Sequence, residues 1–210
     1  MIVINFKNYK PGKEALKLAE LIHKHLPRAI ACVPATEIGY LSYYSKLKIY
    51  AQHIDAVEDK RSTGFISPLS VKSYGAQGTL LNHSEHRLNA PDLQKTIHLC
   101  KKHKLHTIVC VKDLSAAKLV KSWKPDAIAF EEPSLIASGK SITKVMPDIL
   151  KHFSKLLKNS NIIPICGAGI STIEDVKAAF NFGCKGVLIA SAIADSKNPS
   201  KFLKKLANVS

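Results

Sequence analysis

Ionisable side chains follow several apolar runs of this sequence, at positions where a strand should end. The stretch TLLNHSEHRL (79–88) passes from two leucines through Asn82 into five further consecutive polar or ionisable residues, His83 and Glu85 among them. Lys7 follows the run IVINF, and Glu131 follows AIAF. An imidazole, a carboxylate and an ammonium group together could move a proton and stabilise negative charge. Three interpretations of 79–88 are open at this point: a solvated turn, a metal site or one side of an active site.

A metal site is the weakest of these interpretations. His83, Glu85 and His86 would have to supply the ligands, but successive positions at a helix start diverge in direction, so they converge poorly on one ion. The five cysteines form no C-x-x-C pair and lie in apolar runs (Cys32, Cys100, Cys110, Cys166 and Cys184). We therefore expect no metal, and we expect buried free thiols in a reducing compartment.

The elements that would position these groups follow one rhythm, in which short β-rich runs alternate with helical patterns. Most of the runs are continuously apolar, which is typical of strands that are covered on both faces of a parallel sheet. The predicted strands are Ile2–Phe6, Ala29–Val33, Lys48–Gln52, Thr79–Asn82, His106–Val111, Ala127–Phe130, Ile162–Cys166 and Gly186–Ala190. Eight such units predict an α/β fold, a closed (β/α)₈ TIM barrel formed as a single domain by residues 1–210. The alternative, an open doubly wound sheet, usually has fewer strands and a Gly-rich first turn, which NFKNYKPG lacks.

Chain length and local signals add two expectations about the helices. A chain of 210 residues is short for such a barrel, so we expect short helices after the second, third and fourth strands. Ser171 to Glu174 reads as a capping box for the seventh helix, and Gly183 should end it in the left-handed conformation.

In barrels of this kind the working residues lie at the carboxyl ends of the strands. A cation, an imidazole and carboxylates should therefore meet at one rim, together with small-residue turns after the last two strands. Such turns present free backbone N–H groups, which bind a phosphate monoester. The candidate residues at this rim are Asn5, Lys7, His83, Glu85, Glu131, Gly169, Ala190 and Ser191.

The net charge of +15 permits nucleic-acid binding but does not require it. Lysines are interleaved with apolar residues at helical spacing, as in KHFSKLLK, and no RNA-binding motif is visible, so we expect no dedicated nucleic-acid binding. A non-catalytic RNA-binding protein is the alternative that the charge suggests. The N-terminus is unlike a signal peptide and no run approaches about 20 apolar residues, so we expect a soluble, cytoplasmic protein without membrane contact.

Four blocks of the sequence, in order and across nearly the whole chain, resemble the triosephosphate isomerase family. They are NFK, NHSEHR, FEEPSLIASG, and CGAGIS with LIAS, and their wording is most similar to the archaeal, short-chain branch. The resemblance implies interconversion of dihydroxyacetone phosphate and D-glyceraldehyde 3-phosphate through an enediolate, in glycolysis and gluconeogenesis. It also implies an enzyme that needs no cofactor.

The resemblance assigns roles to individual residues. Glu131 matches the catalytic base, Lys7 the active-site lysine with Glu85 as its partner, and Asn5 a substrate contact. His83 matches a neutral imidazole that polarises the substrate carbonyl, an effect for which this family is itself the standard example. Ser84 and Glu85 suit the first turn of a short helix that would keep this imidazole neutral.

Other positions match residues of the family that contact the substrate's phosphate group or form a lid over it. Ile136, Gly169, Ala190 and Ser191 match backbone contacts to the phosphate, and 133–139 matches a mobile lid. This segment departs from the family pattern at three positions: Glu132 follows the base where Pro is common, Ala137 replaces the usual Gly, and Ser138 replaces the usual Thr.

The GAGIS turn alone would also allow a sugar-phosphate epimerase. The loop AVEDKRSTGFIS, with Thr63-Gly64 at its tip, resembles the family's interface loop and implies a homo-oligomer. Whether that oligomer is a dimer or a tetramer is open at this point.

Overall fold

Eight parallel strands form the centre of the computed structural model, which describes residues 1–58, 60–135 and 141–209. The strands are β1 (Ile2–Asn5), β2 (Ile30–Val33), β3 (Lys48–Ala51), β4 (Gly78–Leu81), β5 (His106–Val111), β6 (Ala127–Phe130), β7 (Ile163–Cys166) and β8 (Gly186–Ile189). Each strand pairs with the next, and β8 pairs with β1, which closes the barrel. The predicted (β/α)₈ barrel is confirmed, and every strand lies within one residue of its predicted bounds.

Helices connect the strands and cover the outside of the barrel. They are α1 (Lys13–His25), α2 (Ala35–Tyr44), α3 (Pro68–Ser73), α4 (Ala90–Lys102), α5 (Leu114–Ser122), α6 (Ile142–Val145), α7 (Pro147–Leu157), α8 (Ile173–Asn181), α9 (Ser191–Ala194) and α10 (Pro199–Ala207). A single 3₁₀ turn, Pro133–Leu135, follows β6. None of the helices in the described part of the chain combines the length and apolarity needed to cross a membrane.

The expectation that the helices after β2, β3 and β4 are short is correct only for α3, which has six residues. It is wrong for α2 and α4, which have ten and thirteen residues. The chain is short for other reasons. Most strands have only four residues, and some connections are minimal, such as the single residue Pro34 between β2 and α2.

Alternation along the strands divides the buried residues into two layers. Val3 on β1 belongs to the barrel interior with Ala127 and Ala129 on β6, whereas Ile4 and Ile128 pack against the helices. Because successive side chains of a strand point to opposite faces, the interior series continues beyond the strand ends. Residue 5 at the end of β1, residue 7 beyond it and residue 131 after β6 therefore face the space above the packed interior.

The start of α8 differs from the predicted capping box by one residue. Thr172 is the N-cap, with extended backbone, and its side chain exchanges hydrogen bonds with Asp175 rather than with Glu174. Gly183 follows the helix with φ 92°, so the predicted left-handed glycine is confirmed. The shift matters because the Asp175 carboxylate also accepts hydrogen bonds from the amides of Ser171 and Thr172. These contacts fix the end of the turn after β7.

Candidate active site

A cavity opens at the carboxyl end of the barrel, and most of the predicted site residues line it. Those in the cavity wall are Asn5, Lys7, His83, Glu131, Gly169, Ala190 and Ser191. Glu85 lines an adjoining cavity that shares Asn5, Lys7 and His83. Of the remaining predicted residues, Ile136 lies outside the described residues. Residues from five different strand ends therefore meet in one space, although their catalytic roles stay predictions.

Glu131 reaches this cavity because it extends β6 by one ladder step. Its N–H donates to the carbonyl oxygen of Val111 at 2.8 Å, and its side chain is almost completely buried. One carboxylate oxygen, Oε1, lies 3.6 Å from Nε2 of His83. The other, Oε2, is buried and has no hydrogen-bond partner among the described residues. A carboxylate with one oxygen beside an imidazole and the other without a partner in the described surroundings is suited to accept a proton.

Burial raises the pKa of Glu131 to about 7, because an ionised carboxylate loses hydration there. A hydrogen bond from the Cys110 thiol, and the charges of Arg87 and Lys7, act in the opposite direction. Gly167 makes room for the carboxylate, since a Cβ at that position would lie 2.6 Å from Cγ of Glu131. The neighbouring Glu132 has different surroundings, since its carboxylate accepts hydrogen bonds from the amide and hydroxyl of Ser134.

His83 stands at the start of a tight turn after β4. Asn82 precedes it with φ 58°, a left-handed conformation that Asn tolerates better than most residues. The Asn82 side chain closes the loop by accepting the N–H of Leu88 at 3.0 Å. The amide of Glu85 donates to Nδ1 of His83 at 3.2 Å. Because Nδ1 accepts this hydrogen bond, the proton of the neutral ring is on Nε2, which faces Glu131.

The expected helix at Ser84 and Glu85 is absent from this described segment, and a single turn takes its place. The N–H of His86 donates to the carbonyl oxygen of His83 at 2.9 Å. The pKa of His83 is lowered, chiefly by burial and then by the charges of Lys7 and Arg87, while Glu85 opposes this. Burial thus favours the neutral imidazole that the family resemblance implies, although no helix begins in this described segment.

Lys7 enters the site through backbone that is itself left-handed, with φ 45°. Its N–H donates to Oδ1 of Asn5 at 3.0 Å, and its Nζ lies 2.5 Å from Oε1 of Glu85. Gln52 Nε2 is 3.1 Å from both Asn5 Oδ1 and the carbonyl oxygen of Lys7. Gln52 is a positioning residue that the sequence reasoning missed. The one feature that could have pointed to Gln52 is its position one residue beyond β3, at the same level as the other rim residues.

The residues that are predicted to contact the phosphate lie in the turns after β7 and β8. Gly169 has φ 67°, which a residue with a Cβ adopts at a cost. Ala190 precedes the four-residue helix α9, and the first amides of a helix lack carbonyl partners within it. Of the predicted lid, Pro133–Leu135 forms the 3₁₀ turn, while Ile136, Ala137 and the rest of that segment lie outside the described residues.

The described part of the chain also contains cysteines and other side chains of the kinds that bind metal ions. All five cysteines are free and buried, as the sequence predicted. Within 1–58, 60–135 and 141–209, no three His, Cys, Asp or Glu side chains are grouped so that they could hold a metal ion. Cys110, on β5, belongs to the barrel interior and lowers the pKa of Glu131, an influence between strands that a linear sequence does not reveal.

Comparison with known proteins gives a consistent result along the chain. The family model described as Triosephosphate isomerase matches residues 1–209. A protein named triosephosphate isomerase from Methanocaldococcus jannaschii is 36% identical over 98% of this chain and 98% of its own length. Those from Saccharolobus solfataricus and Methanobrevibacter smithii are 38% and 34% identical, over 97% and 99% of this chain and 93% and 97% of their own lengths.

Proposed function

The chain belongs to the triosephosphate isomerase family, and we propose that Glu131, His83 and Lys7 carry out that family's reaction in it. The enzyme is an aldose–ketose isomerase that interconverts dihydroxyacetone phosphate and D-glyceraldehyde 3-phosphate. This reaction is a step of glycolysis and, in reverse, of gluconeogenesis. The proposal therefore concerns which residues act, and how.

Glu131 is the base in this proposal. Its carboxylate removes a proton from carbon 1 of dihydroxyacetone phosphate, and the electron pair of that C–H bond forms the enediolate. The resulting carboxyl group then returns the proton to carbon 2, while the hydroxyl proton of oxygen 1 passes to oxygen 2 beside Nε2 of His83, so no atom or electron is gained or lost overall. The unpartnered Oε2 in the described surroundings and the raised pKa of about 7 support this role, because a base works best near the operating pH.

His83 and Lys7 stabilise the charge that the base creates. The Nε2–H of neutral His83 donates to the substrate oxygens as they become negative, and the ammonium group of Lys7 offsets the enediolate and the phosphate dianion. The contact of Glu85 with Lys7 at 2.5 Å supports a fixed position for that ammonium group. This chemistry requires that the base, the imidazole and the ammonium group border one cavity, and the position of Glu131, His83 and Lys7 in one cavity wall supports it.

The remaining substrate contacts are assigned by the family resemblance together with their position. Asn5 contacts the substrate from the end of β1, and Gly169, Ala190 and Ser191 offer backbone N–H groups to the phosphate. Ile136 completes this set in the proposal from its sequence match alone.

One observation supports the mechanism most directly: the distance of 3.6 Å between His83 Nε2 and Glu131 Oε1 in a shared cavity. Glu131→Gln keeps the shape of the side chain and removes the base. We expect kcat to fall by about 10²–10⁴-fold in a coupled assay with dihydroxyacetone phosphate. Glu132→Gln, one position along, is the matched control and should keep most of the activity. Unchanged turnover in the Glu131 variant would remove this residue from the mechanism.

The epimerase alternative is less well supported than the isomerase. A phosphate-binding turn is common to both, but the match of residues 1–209 to the isomerase family and the pairing of His83 with Glu131 favour triose substrates. Turnover of pentose phosphates with inert triose phosphates would reverse this preference.

We also propose that residues 1–210 form one domain, that the chain forms a homo-oligomer and that it works in the cytoplasm. The Thr63–Gly64 tip and the adjacent Phe65, which is 56% exposed, support a self-association surface. Five free thiols support a reducing compartment. Light scattering of the purified protein distinguishes dimer, tetramer and monomer, and fractionation of source cells tests the location.

A further inference from the structure

Two imidazole rings stack at the edge of the candidate active site. The ring centroids of His53 and His86 are 3.9 Å apart, and the ring planes differ by 17°. His53 follows β3 and is buried, whereas His86 lies at the end of the turn that carries His83 and Glu85. Neither histidine has a part in the reaction as proposed above. The stack nevertheless joins the turn that carries His83 to the segment that follows β3.

His53 is held in one orientation from its other side. Its Nε2 lies 3.1 Å from Oδ1 of Asp55. The second carboxylate oxygen of Asp55 accepts the N–H of Ile66 at 2.7 Å, and the Asp55 N–H donates to the Ile66 carbonyl oxygen at 2.9 Å. The Asp55 carboxylate thus fixes the ring and closes the base of the loop between residues 55 and 66.

The protonation of His53 follows from these contacts. A carboxylate only accepts, so the hydrogen is on Nε2 and Nδ1 is bare. Nδ1 is buried without a hydrogen-bond partner in the described surroundings, and burial lowers the pKa of His53. His53 is therefore a neutral, buried ring oriented by Asp55, against which another ring can pack.

The turn that rests on this ring is very short. His86 N–H donates to the carbonyl oxygen of His83, and between them the N–H of Glu85 donates to His83 Nδ1. A displacement of His86 moves the Glu85 amide directly, because only one peptide unit separates them. The 3.2 Å hydrogen bond to Nδ1 is long enough that a small displacement would break it.

We propose that His86 is a positioning residue for the isomerase reaction, because its stacking on His53 keeps the Glu85 amide against Nδ1 of His83. With that amide in place, His83 remains in the form that carries its hydrogen on Nε2 and presents it to the substrate. Without the stack, the turn relaxes and the hydrogen distributes over both ring nitrogens. The inference rests on the proposed role of His83, but the hydrogen position can be measured without substrate.

The charged groups around His83 do not replace this control. Lys7 and Arg87 oppose a positive imidazole, whereas Glu85 and Glu131 favour one. The Glu85 carboxylate lies 3.6 Å from Nδ1 and the Glu131 carboxylate 3.6 Å from Nε2, so these two charges favour neither nitrogen over the other. The amide of Glu85 therefore decides which nitrogen of the neutral ring carries the hydrogen.

The experiment compares His86→Ala with His86→Phe, which keeps a flat ring, and with His98→Ala, which removes an exposed histidine from α4. Nitrogen-15 NMR of the ligand-free protein at pH 8 reports the His83 ring form. We expect wild type, His86→Phe and His98→Ala to show hydrogen on Nε2 only, and His86→Ala to show a mixture. In the isomerase assay His86→Ala should lose about tenfold in kcat with KM changed less than twofold, since a displaced catalytic group mainly affects the chemical step.

Each other result decides against a part of the reasoning. A single Nε2–H form in His86→Ala, whatever its activity, would overturn the inference. So would equal losses in the Ala and Phe variants, because the ring surface would then not be the cause. If wild type shows the expected ring form but does not isomerise triose phosphates, the proposed function fails while the positioning of His83 by His86 stands. His86→Gln provides a second ring-free variant if His86→Ala does not fold.

Discussion

Replacement of Glu131 by Gln should stabilise the folded protein at the same time as it removes activity, and only at neutral and higher pH. Glu131 is almost completely buried, and its pKa is raised from 4.5 to about 7. A carboxyl group whose pKa is higher in the folded state favours folding only while it is protonated. That contribution is fully present below the unfolded pKa, near 4.5, and is lost as the pH rises through about 7.

The magnitude follows from the same two values. Each tenfold difference in proton affinity corresponds to about 1.4 kcal/mol, so ionised Glu131 costs the folded state about 3 kcal/mol above pH 7. At pH 5 the cost is below about 1 kcal/mol, because the folded carboxyl group is still protonated. Gln carries no charge at either pH. The free energy of unfolding of Glu131→Gln, measured relative to wild type, should therefore be larger by about 2–3 kcal/mol at pH 8.5 than at pH 5, so the variant is relatively more stable at the higher pH.

Urea unfolding at the two pH values measures this difference, with the protein concentration held constant because subunit association also stabilises. Glu132→Gln corrects for the loss of one carboxylate from the same segment, and its effect is subtracted at each pH. A relative stability that is the same at pH 5 and pH 8.5 would refute the reasoning. It would mean that Glu131 is not held in a poorly hydrated environment.

Two further predictions concern groups that surround the base. Cys110→Ala removes the thiol hydrogen bond that lowers the pKa of Glu131. The acidic limb of the pH profile of kcat/KM, which reports deprotonation of the base, should therefore move to higher pH. Cys32→Ala is the buried control, and an unmoved acidic limb in Cys110→Ala would argue against the contact. Lys7→Met should weaken inorganic phosphate binding by about 10- to 100-fold in calorimetry, as expected for loss of a charge-assisted contact, and should lower kcat. Lys13→Met, an exposed change on α1, should alter neither, and equal phosphate affinity in wild type and Lys7→Met would contradict the role of Lys7.

The strands could be predicted closely because a barrel strand is covered on both sides. A continuous apolar run such as Ala127–Phe130 has little freedom to be anything else, and its ends coincide with the first polar residues. The rim residues followed from the same reasoning, since Lys7 and Glu131 continue the interior alternation of β1 and β6. The loops were harder, because their conformation depends on partners that are distant in the sequence.

The wrong expectations have specific physical causes. Ser84 and Glu85 have the residue types of a helix start, but Asn82 binds the amide of Leu88 and holds the segment as a closed loop. The α8 capping box shifted because Asp175 can reach the amides of both Ser171 and Thr172, whereas Glu174 was only at a suitable spacing. Contacts across the barrel, such as that of Gln52 with Asn5, leave no periodic trace in the sequence.

The close approach of Gly167 to Glu131 has a consequence for variation at this position. A methyl group at residue 167 would displace the Glu131 carboxylate that we propose as the base, so the proposed reaction would depend there on a side chain that consists of a hydrogen atom. Searches for important positions that consider only functional groups would overlook it. Libraries built to alter substrate preference should leave codon 167 unchanged, since even alanine would redirect the proton acceptor rather than reshape the binding space.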